Sequence, residues 1–290
     1  MRAQKITIQA KFGCQLITNI VSKVLFMNKN LNEKTGLCVL YSRPLPNLRE
    51  ENTTSIRRAI SLTFNENADS TVLTDMKTAV EALSPDCYEA ASVYMGPSLL
   101  IPFYKGSFVL GTWQGIYLCN WGQQSGDVEL IIIPHAATER DLFTVVFKPP
   151  HSGVYNISNL IINEIKNTFS KRNLEKENEN TGLLFVKTEH TSASLTVNGP
   201  TGTEGFSPHN LNIALDELVP EKWSGSLFKH TSEGPDDMPG HVKSSLIGAT
   251  ALVPLCWFDS DLSADNNLKK TNIYFCEHSN IFLLRNDKYY

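Results

Sequence analysis

The 290-residue sequence has no excess of charge of either sign, since 26 lysines and arginines face 30 acidic residues, for a net charge of −4. Without a strongly basic surface, neither nucleic acid nor a membrane is an expected partner. No run approaches the roughly 18 consecutive apolar residues that span a bilayer, and the N-terminus lacks the apolar core of a secretory signal. The six cysteines include no C-x-x-C pair, so a reduced, cytoplasmic protein is predicted.

What the sequence does contain is one pattern written twice, in the same order. Its paired landmarks are Gly13–Ile20 and Gly153–Leu160, Thr35–Leu40 and Thr181–Val186, Ser61–Thr63 and Ser194–Thr196, and Ile116–Cys119 and Ile273–Cys276. A repeat of this length is a duplicated domain, and each copy is long enough to bury its own core. Two domains are therefore predicted, over residues 1–138 and 139–290.

Each copy carries the same succession of helix and strand patterns. An alternating strand comes first (residues 6–10, and again Phe143, Val145 and Phe147), followed by an amphipathic helix, a short apolar strand and a second helix near 70–83 or 208–218. Residues 128–133 are predicted to form a buried strand with Pro134 at its end. The prediction is an α+β fold with a mainly antiparallel, sandwich-like sheet and two packed helices in each copy.

Four of the seven histidines lie in three motifs of the second copy: residues 190–196 (HTSASLT), 229–241 (KHTSEGPDDMPGH) and 276–278 (CEH). Asp237 or Pro239 is expected to open a short helix that projects His241. Imidazoles close to carboxylates suit a metal site or an acid–base site. The zinc spacing H-E-x-x-H is absent, and a purely structural role for each histidine stays open.

The first copy keeps different polar segments. It has Asn65–Asp69 (NENAD) and Gly111–Cys119 (GTWQGIYLC), whereas the second copy has unrelated residues in those places. In the first copy, Arg57 occupies the position that corresponds to His190 of the second copy, and Asn120 and Trp121 occupy the positions of Glu277 and His278. The histidine-rich turn is missing from the first copy after Asp86. Each copy thus lacks what the other retains.

These motifs resemble the YjbQ family, also called secondary thiamine-phosphate synthase. The resemblance implies an α+β domain that trimerises, with a polar pocket near subunit boundaries, and a transferase reaction that joins a pyrimidine diphosphate to a thiazole phosphate. By motif match, the implied catalytic residues are His190, His230, His241, Glu277 and His278. The implied substrate-binding residues are Ser192, Lys229, Asp236, Asp237, Glu66, Asn67, Thr112 and Gln114. A divalent metal is implied at His230, His241 and Asp69.

Two interpretations of this partition stay open. In the first, the copies pack as neighbours and pool their residues in one enzyme site, with Lys229 and His190 holding the phosphate of a small metabolite. In the second, the chain is a degenerate, non-catalytic member that binds a phosphorylated metabolite or serves only in assembly, for example in a trimer-based homo-oligomer. Pooling requires Glu66 and Trp113 to lie within about 15 Å of His230, because hydrogen-bonded catalysis needs contact distances.

Overall fold

The structure, a computed structural model, has five α-helices, one short 3₁₀-helix (Glu221–Trp223) and thirteen strands among the residues that it describes: 2–27, 31, 34–44, 59–85, 87, 90, 94–122, 125–137, 142–170, 181–199, 206–256 and 272–280. The helices are α1 (Thr18–Phe26), α2 (Thr71–Leu83), α3 (Ser158–Ser170), α4 (Pro208–Leu218) and α5 (Asp237–Ile247). The first-copy strands are β1 (Gln4–Ala10), β2 (Gly13–Leu16), β3 (Thr35–Pro44), β4 (Ile60–Glu66), β5 (Ser98–Tyr104), β6 (Ser107–Phe108), β7 (Gln114–Asn120) and β8 (Gly126–Ala137). The second-copy strands are β9 (Gly153–Asn156), β10 (Thr181–Lys187), β11 (Ala193–Asn198), β12 (Thr250–Cys256) and β13 (Asn272–Glu277).

The first copy is a sandwich of two antiparallel sheets, as predicted. Five strands form one sheet in the order β1-β8-β3-β5-β6, and three form the other in the order β2-β7-β4. Both sheets and α1 contribute to one core, which includes Val21, Leu40, Leu62, Leu118 and Leu130, all at most 1% exposed. The alternation of apolar residues turns one face of each sheet into this core, and the other face of β7 is buried too, with Tyr117 and Cys119 in a second core. The predicted α+β class is confirmed.

Among its described residues, the second copy repeats part of this topology. The three-stranded sheet of the second copy has the order β11-β13-β9, which corresponds to β4-β7-β2 of the first copy. The strand pair β10-β12 of the second copy corresponds to β3-β5 of the first. The registers agree as well, since Ser61 pairs with Cys119 in one copy and Ser194 pairs with Cys276 in the other. The repeat observed in the sequence is thus a repeat in the fold. The bounds at 138 and 139 fall between the two sets of strands and stay a prediction.

Two strand predictions and the expected state of the cysteines need correction. Residues 143–147 are not a strand, because no strand of the described chain pairs with them. Pro134 lies inside β8, opposite Cys38 of β3, and not at the strand's end. Proline is tolerated there because β1 pairs with β8 only as far as Ile132, so no neighbour needs an N–H from Pro134. Cys14 and Cys119, which face each other across β2 and β7, form a disulfide, whereas reduced cysteines were expected.

Helix α5 has no counterpart among the described residues of the first copy, and it lies between the copies. It packs on β11 of its own copy and on β4 and α2 of the first copy. A shared core joins Met76 and Trp121 of the first copy to Met238 and Val242 of α5, each at most 1% exposed. Fully burying a methionine or valine side chain contributes about 1.5–3 kcal/mol, so α5 is a substantial apolar link between the copies.

A glycine permits a second contact between the copies. Gly111, which opens the first copy's G-T-W-Q-G segment, faces the backbone carbonyl of Glu189, and a Cβ at position 111 would overlap that oxygen. Gly111 also opens a tight turn, because its carbonyl accepts from the Gln114 N–H at 2.9 Å, but its φ is not positive. It is close approach between two backbones that requires glycine here.

No helix in the described part of the chain is long and apolar enough to cross a membrane.

Candidate active site between the two copies

The histidine-rich segment owes its local shape to the sequence Glu-Gly-Pro-Asp-Asp. Gly234 adopts a φ of 125°, a value that favours glycine, and α5 begins at Asp237, one of the two residues predicted to open it. Asp237 and His241 are four residues apart, so they share one face of the helix. That face points toward the first copy, where β4 ends in Glu66.

His230 lies between two carboxylates. Its Nδ1 is 2.9 Å from Asp69 Oδ2 in the first copy, and its Nε2 is 2.7 Å from Asp237 Oδ2 in the second. Burial lowers the pKa of His230, but the hydrogen bonds to Asp237 and Asp69 outweigh burial and raise it. The ring therefore favours the imidazolium form, in which both nitrogens donate.

His241 contacts the other first-copy carboxylate. Its Nε2 is 2.8 Å from Glu66 Oε2 and 3.4 Å from Asp237 Oδ2. Its Nδ1 lies 3.2 Å from Ser192 Oγ and 3.3 Å from the Thr191 carbonyl. Burial lowers the pKa of His241, but Asp237 and Glu66 outweigh it and raise the pKa to about 10. The contacts of Nε2 with both carboxylates are ion pairs, because its N–H makes no hydrogen bond of good geometry with a described residue.

Glu66, His230, Asp237 and His241 form a compact set of metal-ligand types. One ligand atom from each lies within 4.8 Å of all the others, and all four residues are buried. Two of the three predicted metal ligands, His230 and His241, belong to this cluster, which we call the His/carboxylate cluster. Asp69 instead contacts His230 from outside it, and its own pKa is lowered by the Thr71 N–H and by His230. The metal assignment itself stays a prediction.

Asp75 is a functional candidate that the sequence analysis missed. It lies on the buried face of α2, and its Oδ2 accepts hydrogen bonds of 2.7 Å from the backbone N–H groups of Lys229 and His230. A first-copy side chain thus fixes the second-copy segment that carries His230. The signal was available, because a carboxylate between Val72 and Met76 interrupts an otherwise apolar helix face.

The remaining second-copy motif residues form a separate group on another side of α5. Asp236, Glu277 and His278 help to line a cavity of about 210 Å³. His190 lies behind Glu277, with its Nε2 3.5 Å from Glu277 Oε1. Burial lowers the pKa of His190 to about 4 and that of His278 well below its usual range, so both rings are neutral at pH 7.

The replacement of His278 by tryptophan in the first copy keeps one contact. His278 Nε2 lies 2.8 Å from Ser194 Oγ, and Trp121 Nε1 donates to Ser61 Oγ over the same distance. The two serines occupy equivalent positions. An indole N–H therefore occupies the place of the imidazole, while the carboxylate of Glu277 is replaced by the amide of Asn120.

The first-copy motif residues divide between the interface and the surface. Gln114 is buried, donates from Nε2 to the Thr188 carbonyl and accepts from Lys187 Nζ of the second copy at 2.5 Å. Asn67, Thr112 and Trp113 are exposed, as is Lys229 of the second copy. The structure therefore joins Glu66, Asp69 and Ser192 to His230, Asp237 and His241, and it leaves Asn67, Thr112 and Lys229 at the surface.

The burial of Glu277 predicts a pH-dependent stability. Burial raises the pKa of Glu277 to about 8, from an ordinary value of 4.5. Between these values the folded chain retains a proton that the unfolded chain has released, so the free energy of unfolding falls as pH rises, by up to about 1.4 kcal/mol per pH unit. Glu277→Gln is neutral throughout. Its stability relative to wild type, measured by urea unfolding, is expected to increase from about pH 5 to about pH 8.

The control for this prediction is Glu217→Gln, which changes an exposed glutamate on α4. Its stability should follow the wild-type curve at every pH. If Glu277→Gln also ran parallel to wild type, Glu277 would be ionised in the folded chain across the whole range.

Comparison with known proteins identifies relatives of both copies. The profile of the family described as "UPF0047 protein YjbQ-like" matches residues 4–134 and again 151–285. The UPF0047 protein YjbQ of Salmonella typhimurium is 41% identical over 78 residues, which are 26% of this chain and 51% of that protein. A UPF0047 protein of Synechocystis is 37% identical over 75 residues, 26% of this chain and 48% of that protein. The chain spans about half the length of these curated relatives.

Solved structures of similar proteins also match about half of the chain. An uncharacterised protein of the YjbQ/UPF0047 family from Clostridium acetobutylicum is 22% identical, with a TM-score of 0.36, and the match covers 46% of this chain and 99% of that one. A protein of unknown function from Sulfolobus solfataricus, described as YbjQ-like, is 17% identical, with a TM-score of 0.34, and covers 45% and 95%.

Proposed function

Because the chain belongs to the YjbQ family, whose profile matches it twice, we propose that it is an enzyme with one composite pocket that acts on a small phosphorylated metabolite. The observation that carries this proposal is the 2.8 Å contact between Glu66 of the first copy and His241 of the second. Burying charged groups costs several kcal/mol for each ion. A chain that served only in assembly would gain more from apolar residues at this place.

The His/carboxylate cluster is proposed to hold a divalent cation. Two imidazoles and two carboxylates are ligands that suit Zn²⁺ or Mn²⁺. Asp69 contacts the outer nitrogen of His230, and Ser192 and the Thr191 carbonyl contact that of His241, so both Nε2 atoms face the cluster. When bound, the cation would supply electrophilic stabilisation of phosphate oxygens. Both rings would give up protons on binding, so the affinity should rise with pH.

A thiamine-phosphate synthase-type transfer is the reaction that we propose to assay first. In it, the thiazole nitrogen forms a bond to the pyrimidine's methylene carbon, and the bond from that carbon to the diphosphate oxygen breaks. The diphosphate leaves with the electron pair, so the pocket must accommodate growing negative charge. His230 lies at the side of the cluster where Asp69 is 37% exposed in its side chain, so the leaving diphosphate would meet the cluster from that side. Lys229, the residue before His230, is exposed on this side of the cluster and is proposed to bind phosphate.

The alternative, a non-catalytic protein, is favoured by a different observation. The four residues of the cluster are only 1–7% exposed, whereas the cavity of about 210 Å³ lies on another side of α5. A buried ion network without substrate access would join the copies and do nothing else.

The experiment that separates these functions combines metal analysis with turnover. Wild type is expected to contain about one divalent cation per chain and to form the coupled product from the two precursors. Glu66→Gln should lose the cation and about 100-fold or more in turnover, although the mutated residue lies in the copy without histidine motifs. Glu81→Gln, at a half-exposed glutamate of α2, is the matched control. Wild type without cation and without turnover would favour the non-catalytic protein, and full activity of Glu66→Gln would contradict a composite pocket.

A further inference from the structure

The polar cavity beside α5 is separate from the His/carboxylate cluster. All of its lining residues belong to the second copy; Pro239 and Lys243 lie on α5, and Asp236 directly precedes it. Because Asp237 and His241 point toward the first copy, the helix presents two different faces to two polar regions. The volume of the cavity, about 210 Å³, is roughly seven times the volume that one water molecule occupies in the liquid.

The wall of this cavity is acidic. Its charged members are the carboxylates of Asp216, Glu221 and Asp236 and the ammonium of Lys243, and Glu277 adds a carboxyl group that is ionised only above about pH 8, because burial raises its pKa to that value. Lys243 Nζ is bound to Asp216 Oδ1 at 2.5 Å, so the one lysine is already neutralised. An electronegative wall favours a cation and disfavours phosphate or carboxylate ligands.

Glu277 supplies a buried carboxyl oxygen that no described residue binds. Its side chain is 1% exposed, and its Oε2 has no hydrogen-bond partner among the described residues. Leaving such an oxygen unpaired costs about 1–3 kcal/mol or more, so a ligand that donates a hydrogen bond to it once Glu277 is ionised would remove this cost. Asp236 differs, because its Oδ2 accepts from both the backbone N–H and the side-chain amide of Asn280.

The arrangement of these groups distinguishes between kinds of cation. A metal ion needs several ligand atoms that converge on one point. Within the described ranges, the one group of three or more such residues with converging ligand atoms is the His/carboxylate cluster. The carboxylates of the cavity are spread around its wall instead. This arrangement suits a larger organic cation, whose charge is at one end and whose hydrocarbon part fills the rest of the cavity.

We propose that this cavity binds a small organic ammonium ion, with its N–H donors directed to Glu277 Oε2 and its body lying along Pro239 toward Glu221. An ammonium group has three donors and no acceptor, which matches a wall of carboxyl and amide oxygens. This site does not depend on a cation at the His/carboxylate cluster.

The test uses three probes of one length: n-butylammonium, 1-butanol and butyrate. Each is titrated into ¹⁵N-labelled full-length protein with EDTA present at about pH 8.5, where the Glu277 carboxyl is ionised. We expect n-butylammonium to shift the amide signals of Lys243 and Asn280 in a saturable manner, and we expect 1-butanol and butyrate to leave them unchanged. Glu277→Gln should weaken this binding about 10-fold or more, the loss of one charge-assisted hydrogen bond. Glu217→Gln, on the exposed face of α4, should bind like wild type.

Three outcomes would overturn the proposal. Equal shifts with 1-butanol would show an apolar site, and equal shifts with MgCl₂ in place of EDTA and amine would show a metal site. Unchanged affinity in Glu277→Gln would remove the residue on which the proposal depends. Should that variant fail to fold, Glu221→Gln at the exposed rim serves instead, with an expected loss of about 3-fold.

Discussion

Alanine at His241 is expected to lower turnover about 1000-fold or more and to remove the bound cation. His241 is 1% exposed and is the residue where both copies meet, since its Nε2 faces Glu66 and Asp237 together. Losing the imidazole removes a ligand and leaves two buried carboxylates facing each other, and breaking a buried charge pair costs about 3–5 kcal/mol. Turnover, metal content and circular dichroism should therefore be measured at a temperature where the variant is still folded.

The control for His241 is His209→Ala, which makes the same replacement at an exposed position of α4. It should keep wild-type turnover, metal content and stability. A folded His241→Ala protein whose turnover stays within about 3-fold of wild type would refute a catalytic role for the cluster.

Alanine at Asp75 is expected to lower the free energy of unfolding by about 2 kcal/mol. Two backbone N–H groups, those of Lys229 and His230, lose their acceptor, and each buried unpaired donor costs about 1–3 kcal/mol. Part of this cost is offset, because the change also removes a buried carboxylate oxygen, Oδ1, that has no partner in the described chain. Chemical denaturation measures the change, and hydrogen exchange at the amides of Lys229 and His230 locates it.

Asp75→Asn should lose much less stability, because its amide oxygen can still accept from both N–H groups. Thr74→Ala alters an exposed neighbour on the same helix and should be neutral. If Asp75→Ala matched wild type in stability and in the exchange of both amides, the carboxylate would not be what fixes the segment before His230.

The elements set by local pattern were predictable from the sequence. Helix α4 was predicted near residues 208–218 and occupies Pro208–Leu218, and α5 begins at Asp237, one of the two residues that its turn motif indicated. Both could be predicted because capping and helical periodicity act over a few residues. Strand pairing acts over long distances, so residues 143–147 kept the alternation of a strand without a described partner. The position of Pro134 within β8 could not be inferred either, since it depends on where a different strand, β1, ends.

The site was predictable in composition but not in grouping. The residue types of the motifs pointed to His230, His241 and Glu66, yet whether they meet depended on the packing of two copies against each other. The separation of Glu277 and His278 from His241 follows from the faces of α5, whose position between the copies the sequence does not indicate. Asp75 was missed because a hydrogen bond to backbone leaves no motif.

The lack of an α5 counterpart in the described first copy changes how binding sites must be counted. A duplicated chain ordinarily has two equal sites, but here two domains share one cluster, so saturation at one ligand per chain would mean full occupancy. The two copies have also become dependent on each other. Either half expressed alone would lack ligands of the cluster and would expose apolar surface that Met238, Val242, Met76 and Trp121 now cover jointly. After such a division of labour, deletion of one copy no longer restores an ancestral single-domain protein.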